Sequence, residues 1–431
     1  MMKKMDYQNV RGTQDYLPKQ EAIRRTIRRT LEDTFILYGC ETLETPILNY
    51  KNLMASKYAG GAEILQEMYT LTDRGERDLA LRYDLTIPFA KVIAMNPELS
   101  MPFKRYEIGK VFRDGPIKTG RLREFTQCDV DIVGVKSQVA EAELMMMAVD
   151  AFCKLDVDIL IQYNNRKLLY GLLQCFAVPE AVMNRVILVL DKMEKIDRMT
   201  LVKELEELAL TSDSLAAIEQ FLDTEPAFDY FEQYATLNNF VQEGIAELRE
   251  LDSYLQTLNV MDNCIFNPFL ARGLEIYTGT IYEIFLKEGS IKSSIGSGGR
   301  YDNAIGGLIG SDQSFPTVGI SFGLDVIFTA FELNGKVAVE SEIDVYIIPM
   351  GVEKEALQLA TTLRQQRKRV VVELSHKKLR KAMDKANREN IPNVIVLGEQ
   401  EVKNNTYQLK NMMTGTTEEK SYNFSKPLLK R

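Results

Sequence analysis

The segment from Phe103 to Gly134, FKRYEIGKVFRDGPIKTGRLREFTQCDVDIVG, constrains the fold more than any other part of this chain. Two extended runs flank a turn rich in glycine, proline and lysine, the pattern of a hairpin with a long loop. Side chains alternate sides along a strand. Arg105, Glu107, Gly109, Val111 and Arg113 therefore share a face of the outgoing run, and Phe125, Gln127, Asp129, Asp131 and Val133 share a face of the return. Cys128, Val130 and Ile132 point the other way, where they can pack on a second layer. A sheet face carrying an arginine, an aromatic ring, an amide and carboxylates makes a poor core. It suits a pocket that holds a phosphate, a flat base and a small polar ligand together.

A chain of 431 residues is too long for one ordinary domain, so two or three are expected. No run reaches the ~18 apolar residues of a membrane span. The first residues, MMKKMDYQNVRGTQDYLPKQ, lack the apolar stretch of a signal peptide, and a cytoplasmic location without membrane contact is expected. The five cysteines, Cys40, Cys128, Cys153, Cys175 and Cys264, form no CxxC pair and read as reduced thiols rather than disulfides or a zinc site. The one histidine, His376, lies in the lysine-rich SHKKLRK and reads as a solvated residue. Ser-His-Asp, Cys-His and metalloprotease schemes would all depend on it, so those classes are set aside. The net charge is −8, unevenly spread: residues 341–431 carry 17 Lys+Arg against 11 Asp+Glu, a balance of +6 that leaves −14 for the rest. A basic tail on an acidic body fits a local polyanion contact, although a solvated helix face explains the charge alone equally simply.

Ile23, Ile27, Leu31 and Phe35 recur at helical spacing, predicting a helix over about 21–38 that stops at Gly39. CETLETPIL reads as a strand with Pro46 at an edge or kink. EAELMMMAVDAFCKL reads as a helix whose methionines fill core. Residues of about 166–255 are rich in Leu, Glu, Lys and Asp at helical spacing and read as a helical insertion. Strand signals resume afterwards, so one mixed, largely antiparallel sheet is completed late in the chain. Beyond a boundary near 334–341, β and α segments alternate from DVYIIPM to PNVIVLGE, predicting a small α/β domain with a largely parallel sheet. The expected division is 1–335 with its insertion, then 341–431.

Further motifs are weaker singly. In ARGLEIYTGTIYE, Arg272 precedes a glycine that permits close backbone approach, and Tyr277 and Glu283 are expected on one strand face. In GSGGRYD, Gly298 and Gly299 could lie against a ligand and Arg300 could pair with Asp302, although a plain turn is commoner. In ALRYDLTIP, Asp84 and Thr86 are expected to alternate onto one face beside Arg82.

Together these residues resemble the histidyl-tRNA synthetases, a class II aminoacyl-tRNA synthetase family, over nearly the whole chain from RGTQDYLP onward. FKRYEIGKVFR…GRLREFTQCDVDIVG looks like class II motif 2, ETPIL like the dimer-interface motif 1, and LRYDLT, ARGLEIYTGT and GSGGRYD like the family's histidine-pocket signatures. The tail is similar to the family's anticodon-binding domain. The resemblance implies an α+β class II synthetase fold and a homodimer that joins L-histidine to tRNA(His), using ATP with Mg2+. It implies that Arg113 grips the substrate carboxylate and α-phosphate, that Arg272 holds that phosphate from the other side, that Phe125 stacks on adenine, and that Arg121 sits near the phosphates. Asp84 and Thr86 would hold the amino group of histidine, while Leu85, Gln127, Asp131, Ile276 and Tyr277 would line its pocket. Two departures stand out. Ile276 occupies the first of two places where the family has adjacent tyrosines, and motif 3, usually Gly-x-Glu-Arg, reads GLDV, with Asp325 for the glutamate and Val326 for the arginine. The resemblance thus leaves a rival open: a histidine-sensing, non-catalytic relative such as the regulatory subunit of ATP phosphoribosyltransferase.

Overall fold

The computed structural model describes residues 7–56, 65–193, 196–224, 227–271, 276–310, 314–335, 341–375 and 377–424. Contacts divide the chain into two compact units, Met1–Val337 and Ala338–Arg431.

The strands of the first unit are β1 (Glu41–Thr42), β2 (Leu48–Tyr50), β3 (Thr70–Thr72), β4 (Asp78–Leu81), β5 (Phe103–Phe112), β6 (Glu124–Val133), β7 (Ile159–Asn165), β8 (Cys264–Phe266), β9 (Thr280–Leu286), β10 (Gly296–Arg300) and β11 (Thr317–Gly323). Eight of them form one sheet in the order β1-β5-β6-β11-β10-β9-β7-β8. Pairing is antiparallel except at the two edges, where β1 runs parallel to β5 and β8 parallel to β7. Of the strands that follow the helical insertion, β9, β10 and β11 thus fill the centre of a sheet begun before it, and β8 takes an edge.

One face of this sheet is apolar and covered. Cys128, Val130 and Ile132 of β6 lie beside Phe322, Ile320 and Val318 of β11. The helix Pro18–Leu37 buries Ile23, Ile27, Leu31 and Phe35 against this layer, and Phe35 meets Phe322 at 5.9 Å and Tyr106 at 5.7 Å between ring centres. That helix ends where Gly39 takes a left-handed φ of +73°, a conformation glycine adopts without a Cβ clash. The helix Val139–Lys154 packs beside it and brings Phe152 to 5.8 Å from Phe322. The insertion folds into helices that include Arg166–Cys175, Arg198–Glu206, Ser212–Asp223 and Asn239–Thr257. Each of these four starts at a side-chain cap, from Asn165, Asp197, Thr211 and Asn238, which satisfies a backbone N–H of the first turn.

Three local expectations are corrected. CETLETPIL is not one strand: β1 covers two residues, and the chain passes Pro46, which has no N–H to pair, before β2 joins the separate β2-β4-β3 sheet. Asp84 and Thr86 do not alternate on a strand, because β4 ends at Leu81 and Thr86 opens the helix Thr86–Met95. Tyr277 precedes β9, so it shares no strand face with Glu283.

The second unit has a five-stranded sheet of β12 (Val345–Pro349), β13 (Val370–Val372), β14 (Asn393–Leu397), β15 (Thr406–Asn411) and β16 (Thr417–Ser421), in the order β13-β12-β14-β15-β16. The first three run parallel, with the helices Glu353–Gln365 and Leu379–Arg388 as crossovers. The last two add an antiparallel hairpin over sequence read only as tail. Its core includes Ile347, Leu359, Ala360, Ile395 and Leu397.

Candidate active site

The opposite face of the large sheet carries the polar set, with Arg105, Glu107, Asp129 and Asp131 all buried. The β5–β6 register places Arg105 opposite Asp131, Glu107 opposite Asp129, Gly109 opposite Gln127 and Val111 opposite Phe125. Next to β6, β11 contributes Gly319 beside Asp131, Ser321 beside Asp129 and Gly323 beside Gln127. Small residues lower the floor here, and polar side chains fill the space: a Cβ on Gly319 would lie 2.0 Å from Asp131 Oδ1, and one on Gly109 would lie 2.2 Å from Arg82 Nη2.

Arg113, just past the end of β5, donates from Nε to the carbonyl of Tyr83 at 2.9 Å and lies over the ring of Phe125, its guanidinium carbon 5.2 Å from the centroid. Burial pulls its pKa below the usual value, Asp84 works against that and Arg121 adds to it. An arginine stays protonated regardless, so a half-buried, under-compensated cation is presented to the site. Arg121 pairs with Glu67 through Nη2 at 3.2 Å and is exposed. Asp84 accepts from the Ile87 N–H at 3.2 Å at the start of the following helix, and burial pushes its carboxyl up to about 6. Leu85 is buried and its carbonyl accepts from Arg105 at 3.2 Å, while Thr86 is half-buried.

Deeper in, Asp131 receives Arg105 Nη2 at 2.6 Å on one oxygen and the hydroxyl of Tyr301 on the other. Burial works to discharge Arg105, but Asp131, Asp129, Tyr301 and Glu107 outweigh it and hold its pKa above the usual value. Its guanidinium also rests 4.4 Å from the centre of the Phe89 ring. Gln127 donates to Ser321 Oγ at 2.9 Å. Arg82 serves the floor rather than the pocket, donating to the carbonyls of Lys110 and Thr45 and pairing with Glu107 at 2.7 Å.

The structure therefore brings Asp84, Leu85, Arg113, Phe125, Gln127 and Asp131 to one region, with Arg121 at its edge. Ile276 and Tyr277 are half-buried ahead of β9, and Tyr277 lies within electrostatic reach of Tyr282, whose hydroxyl donates to the Gly319 carbonyl at 2.8 Å. Arg272 lies outside the described residues, as does His376. Sequence reading put Arg105 and Asp129 on this face without assigning them roles, and it missed Tyr301, which follows β10 and reaches Asp131 because only β11 separates β10 from β6 in the sheet order.

The other motifs resolve into structure. Arg300 points to the covered face, where it makes two bonds to Glu141, at 2.6 and 2.8 Å, besides its 3.3 Å pair with Asp302. Gly298 is needed by the sheet, since a Cβ there would meet the Gly319 carbonyl at 2.0 Å and the Tyr282 ring at 2.7 Å. Asp325 is turned inward to Arg24 Nη1 and the Tyr16 hydroxyl, both at 2.5 Å, and to the Thr126 N–H at 2.6 Å. Val326 lies under the hairpin loop, 3.5 Å from where a Cβ on Gly120 would stand. All five cysteines are unpaired. Among the described residues, no group of three His, Cys, Asp or Glu side chains could hold a metal ion and no helix is long and apolar enough to cross a membrane.

Residues 12–327 match the family model for histidyl-tRNA synthetase, and residues 344–430 match that for an anticodon-binding domain. A protein of Shouchella clausii named histidine–tRNA ligase 2 is 57% identical over 425 residues, covering 98% of this chain and 100% of that protein. The solved histidyl-tRNA synthetase of a Nostoc species is 27% identical, superposes with a TM-score of 0.83 and covers 97% of each chain. A Bacillus halodurans structure titled as an ATP phosphoribosyltransferase regulatory subunit/histidyl-tRNA synthetase has a TM-score of 0.76 at 20% identity, which shows a shared fold alone. Identity above one half along almost the full length, with both family models matched in order, decides the assignment: this chain belongs to the histidyl-tRNA synthetase family.

Proposed function

We propose that this chain is a histidine–tRNA ligase whose adenylate-forming site is the polar face of β5, β6 and β11. It joins L-histidine to tRNA(His). The first unit carries the chemistry and the second reads the anticodon. The rival reading, a histidine sensor without catalysis, is not favoured, because the ligase relative matches over 98% of this chain and the second unit matches an anticodon-binding model.

In the first step the carboxylate of histidine attacks the α-phosphorus of ATP. A new P–O bond forms, the bond to the bridging oxygen breaks, and pyrophosphate leaves. The attacking group is already ionised at neutral pH, so no side chain has to take its proton. Catalysis rests on alignment and on stabilising charge on the phosphate oxygens. Arg113 is assigned to the substrate carboxylate and α-phosphate, Arg121 to the outer phosphates, Phe125 to the adenine face and Arg272 to the far side of the α-phosphate. Asp84 and Thr86 hold the ammonium group, and Leu85, Gln127, Asp131, Ile276 and Tyr277 line the amino-acid pocket. In the second step a hydroxyl of the terminal ribose of tRNA attacks the activated carbonyl and AMP leaves. Mg2+ arrives with ATP, bound through phosphate oxygens as is usual for this ion rather than in an all-protein cage. The working enzyme is a cytoplasmic homodimer.

The observation that carries this reading is the pairing of Arg113 with Phe125 beside Arg121 and Asp84: a half-buried cation over an aromatic ring, a second cation near it and an acid for an ammonium group. Histidine-dependent ATP–pyrophosphate exchange, followed by charging of tRNA, tests it. No exchange at saturating ATP and histidine would leave the sensor reading standing. Exchange that does not require histidine would refute the substrate assignment.

A further inference from the structure

The end of β6 that carries Phe125 is held differently from the rest of the strand. Pairing with β11 stops at Gln127, opposite Gly323, because Leu324 opens a helix that runs to Leu333. Glu124 to Thr126 therefore have no strand on that side, and backbone N–H groups pointing there need other acceptors. Two acceptors far away in the sequence replace the missing strand. The Gly12 carbonyl accepts from the N–H of Arg123 at 2.8 Å and of Glu124 at 3.3 Å. Asp325 Oδ2 accepts from the N–H of Thr126 at 2.6 Å. Asp325 Oδ1 in turn takes the Tyr16 hydroxyl and Arg24 Nη1, both at 2.5 Å.

Both holds depend on particular residues of the segment that precedes the first helix. Gly12 has a φ of +86°, and a Cβ there would lie 2.6 Å from Arg123 Cγ, so glycine lets that carbonyl approach. The Tyr16 ring lies edge-on to Phe328, 5.6 Å between centres, and the Arg24 guanidinium carbon lies 3.7 Å from the Tyr16 ring centre. Asp325 and Arg24 are buried. Burial first, and then the bond to Asp325, push the Tyr16 hydroxyl above its ordinary pKa, so it remains a donor at neutral pH.

The holds bracket Phe125, with Arg123 and Glu124 before it in the chain and Thr126 after it. The Arg123 carbonyl also accepts the N–H of Arg113 at 2.8 Å, so the Gly12 hold bears on the cation as well as the ring. The Tyr16 hold reaches β6 only at Thr126. Phe125 is half-buried, and an exposed ring edge binds a flat base best when its orientation is fixed beforehand.

With Phe125 assigned to the adenine face, an assignment on which this inference rests, we propose that Tyr16 is a positioning residue for ATP: through Asp325 and the Thr126 N–H it fixes the orientation of Phe125 and so sets the affinity of the site for the base. The groups assigned to the phosphates and to the ammonium of histidine, Arg121 and Asp84, lie outside this chain of bonds, so the effect falls on the base alone.

Pyrophosphate exchange by full-length Tyr16→Phe tests this, because the variant keeps the ring against Phe328 and Arg24 and loses only the hydroxyl. The expected result is a KM for ATP and an inhibition constant for adenosine each raised about 10-fold, the effect of losing one hydrogen bond to a charged group. The KM values for histidine and pyrophosphate stay unchanged, and melting changes little. An unchanged inhibition constant for adenosine would overturn the proposal, and so would an equal rise in all these constants, which marks a general loosening. Coupling between two sites is reciprocal, so adenosine bound to the unaltered protein is expected to slow amide hydrogen exchange in residues 12–16. Unslowed exchange there would also overturn the proposal, and this measurement decides if Tyr16→Phe fails to fold. Failure of adenosine to compete with ATP in the unaltered protein would instead defeat the assignment of Phe125 to adenine.

Discussion

Arg113 shows how one residue can be held in position without being neutralised. The Tyr83 carbonyl takes one N–H and Phe125 supports the guanidinium plane, so most of the fork stays available. A lysine could keep the charge but not the planar, bidentate geometry. Arg113→Lys is therefore expected to lower the exchange rate at least ~100-fold, roughly the effect of removing one oxyanion donor, with little change in thermal melting. Asp129 makes the opposite case, a charge the empty fold tolerates poorly. Its folded pKa of about 7 lies above the ordinary carboxylate value, so the native state binds more protons than the unfolded chain between those values. Its effect on stability therefore worsens as pH rises from about 4 to 7. Asp129→Asn should leave melting little changed near pH 4 and raise it near pH 8, by up to about 4 kcal/mol on linkage grounds. Melting curves across pH check the sign, and an asparagine variant less stable at pH 8 than at pH 4, relative to the parent, would contradict it.

Among elements, the hairpin was the most legible in the sequence, because period-two alternation assigns every side chain to a face once two strands are accepted. Arg105 through Asp131 lie as that counting requires. What alternation cannot give is the partner from a distant strand: Gly319 and Tyr301 reach Asp131 only through the β6-β11-β10 order. Alternation also misled at ALRYDLTIP, where Asp84 accepts a backbone N–H at a helix start. The glycine cluster of GSGGRYD, read as a ligand contact or a plain turn, is instead a strand whose Gly298 makes room for Tyr282 and a neighbouring carbonyl, and Arg300 pairs with Asp302 as expected. Gly319→Ala is expected to push Asp131 out of place, costing about 1–3 kcal/mol and weakening histidine binding; melting and the KM for histidine check it. Asp325 binds three elements at once, the segment holding Tyr16, the helix of Arg24 and β6. Asp325→Ala leaves Arg24 buried without its carboxylate and should cost about 3–5 kcal/mol, measurable by calorimetry. The motif pattern alone gave Asp325 no such task, because its partners lie about 200 and 300 positions away in the chain.

At the scale of the whole molecule, the contacts and the charge divide the chain in the same place, near residue 338, with the basic balance on the second unit. Its antiparallel hairpin went unread because in KNNTYQLKNMMTGTTEEKS the inward alternation is confined to Tyr407 and Leu409 among polar residues. Removing the residues after about Ser341 is expected to impair tRNA charging far more than pyrophosphate exchange, and equal loss in both assays would argue against separate tasks. The central claim is that the face of β5, β6 and β11 activates histidine with ATP although Val326 stands where the motif 3 resemblance calls for an arginine. Histidine-dependent ATP–pyrophosphate exchange by the folded full-length protein tests it most directly. Exchange that requires histidine and collapses in Arg113→Lys is the predicted result; no exchange at saturating ATP and histidine would contradict the account.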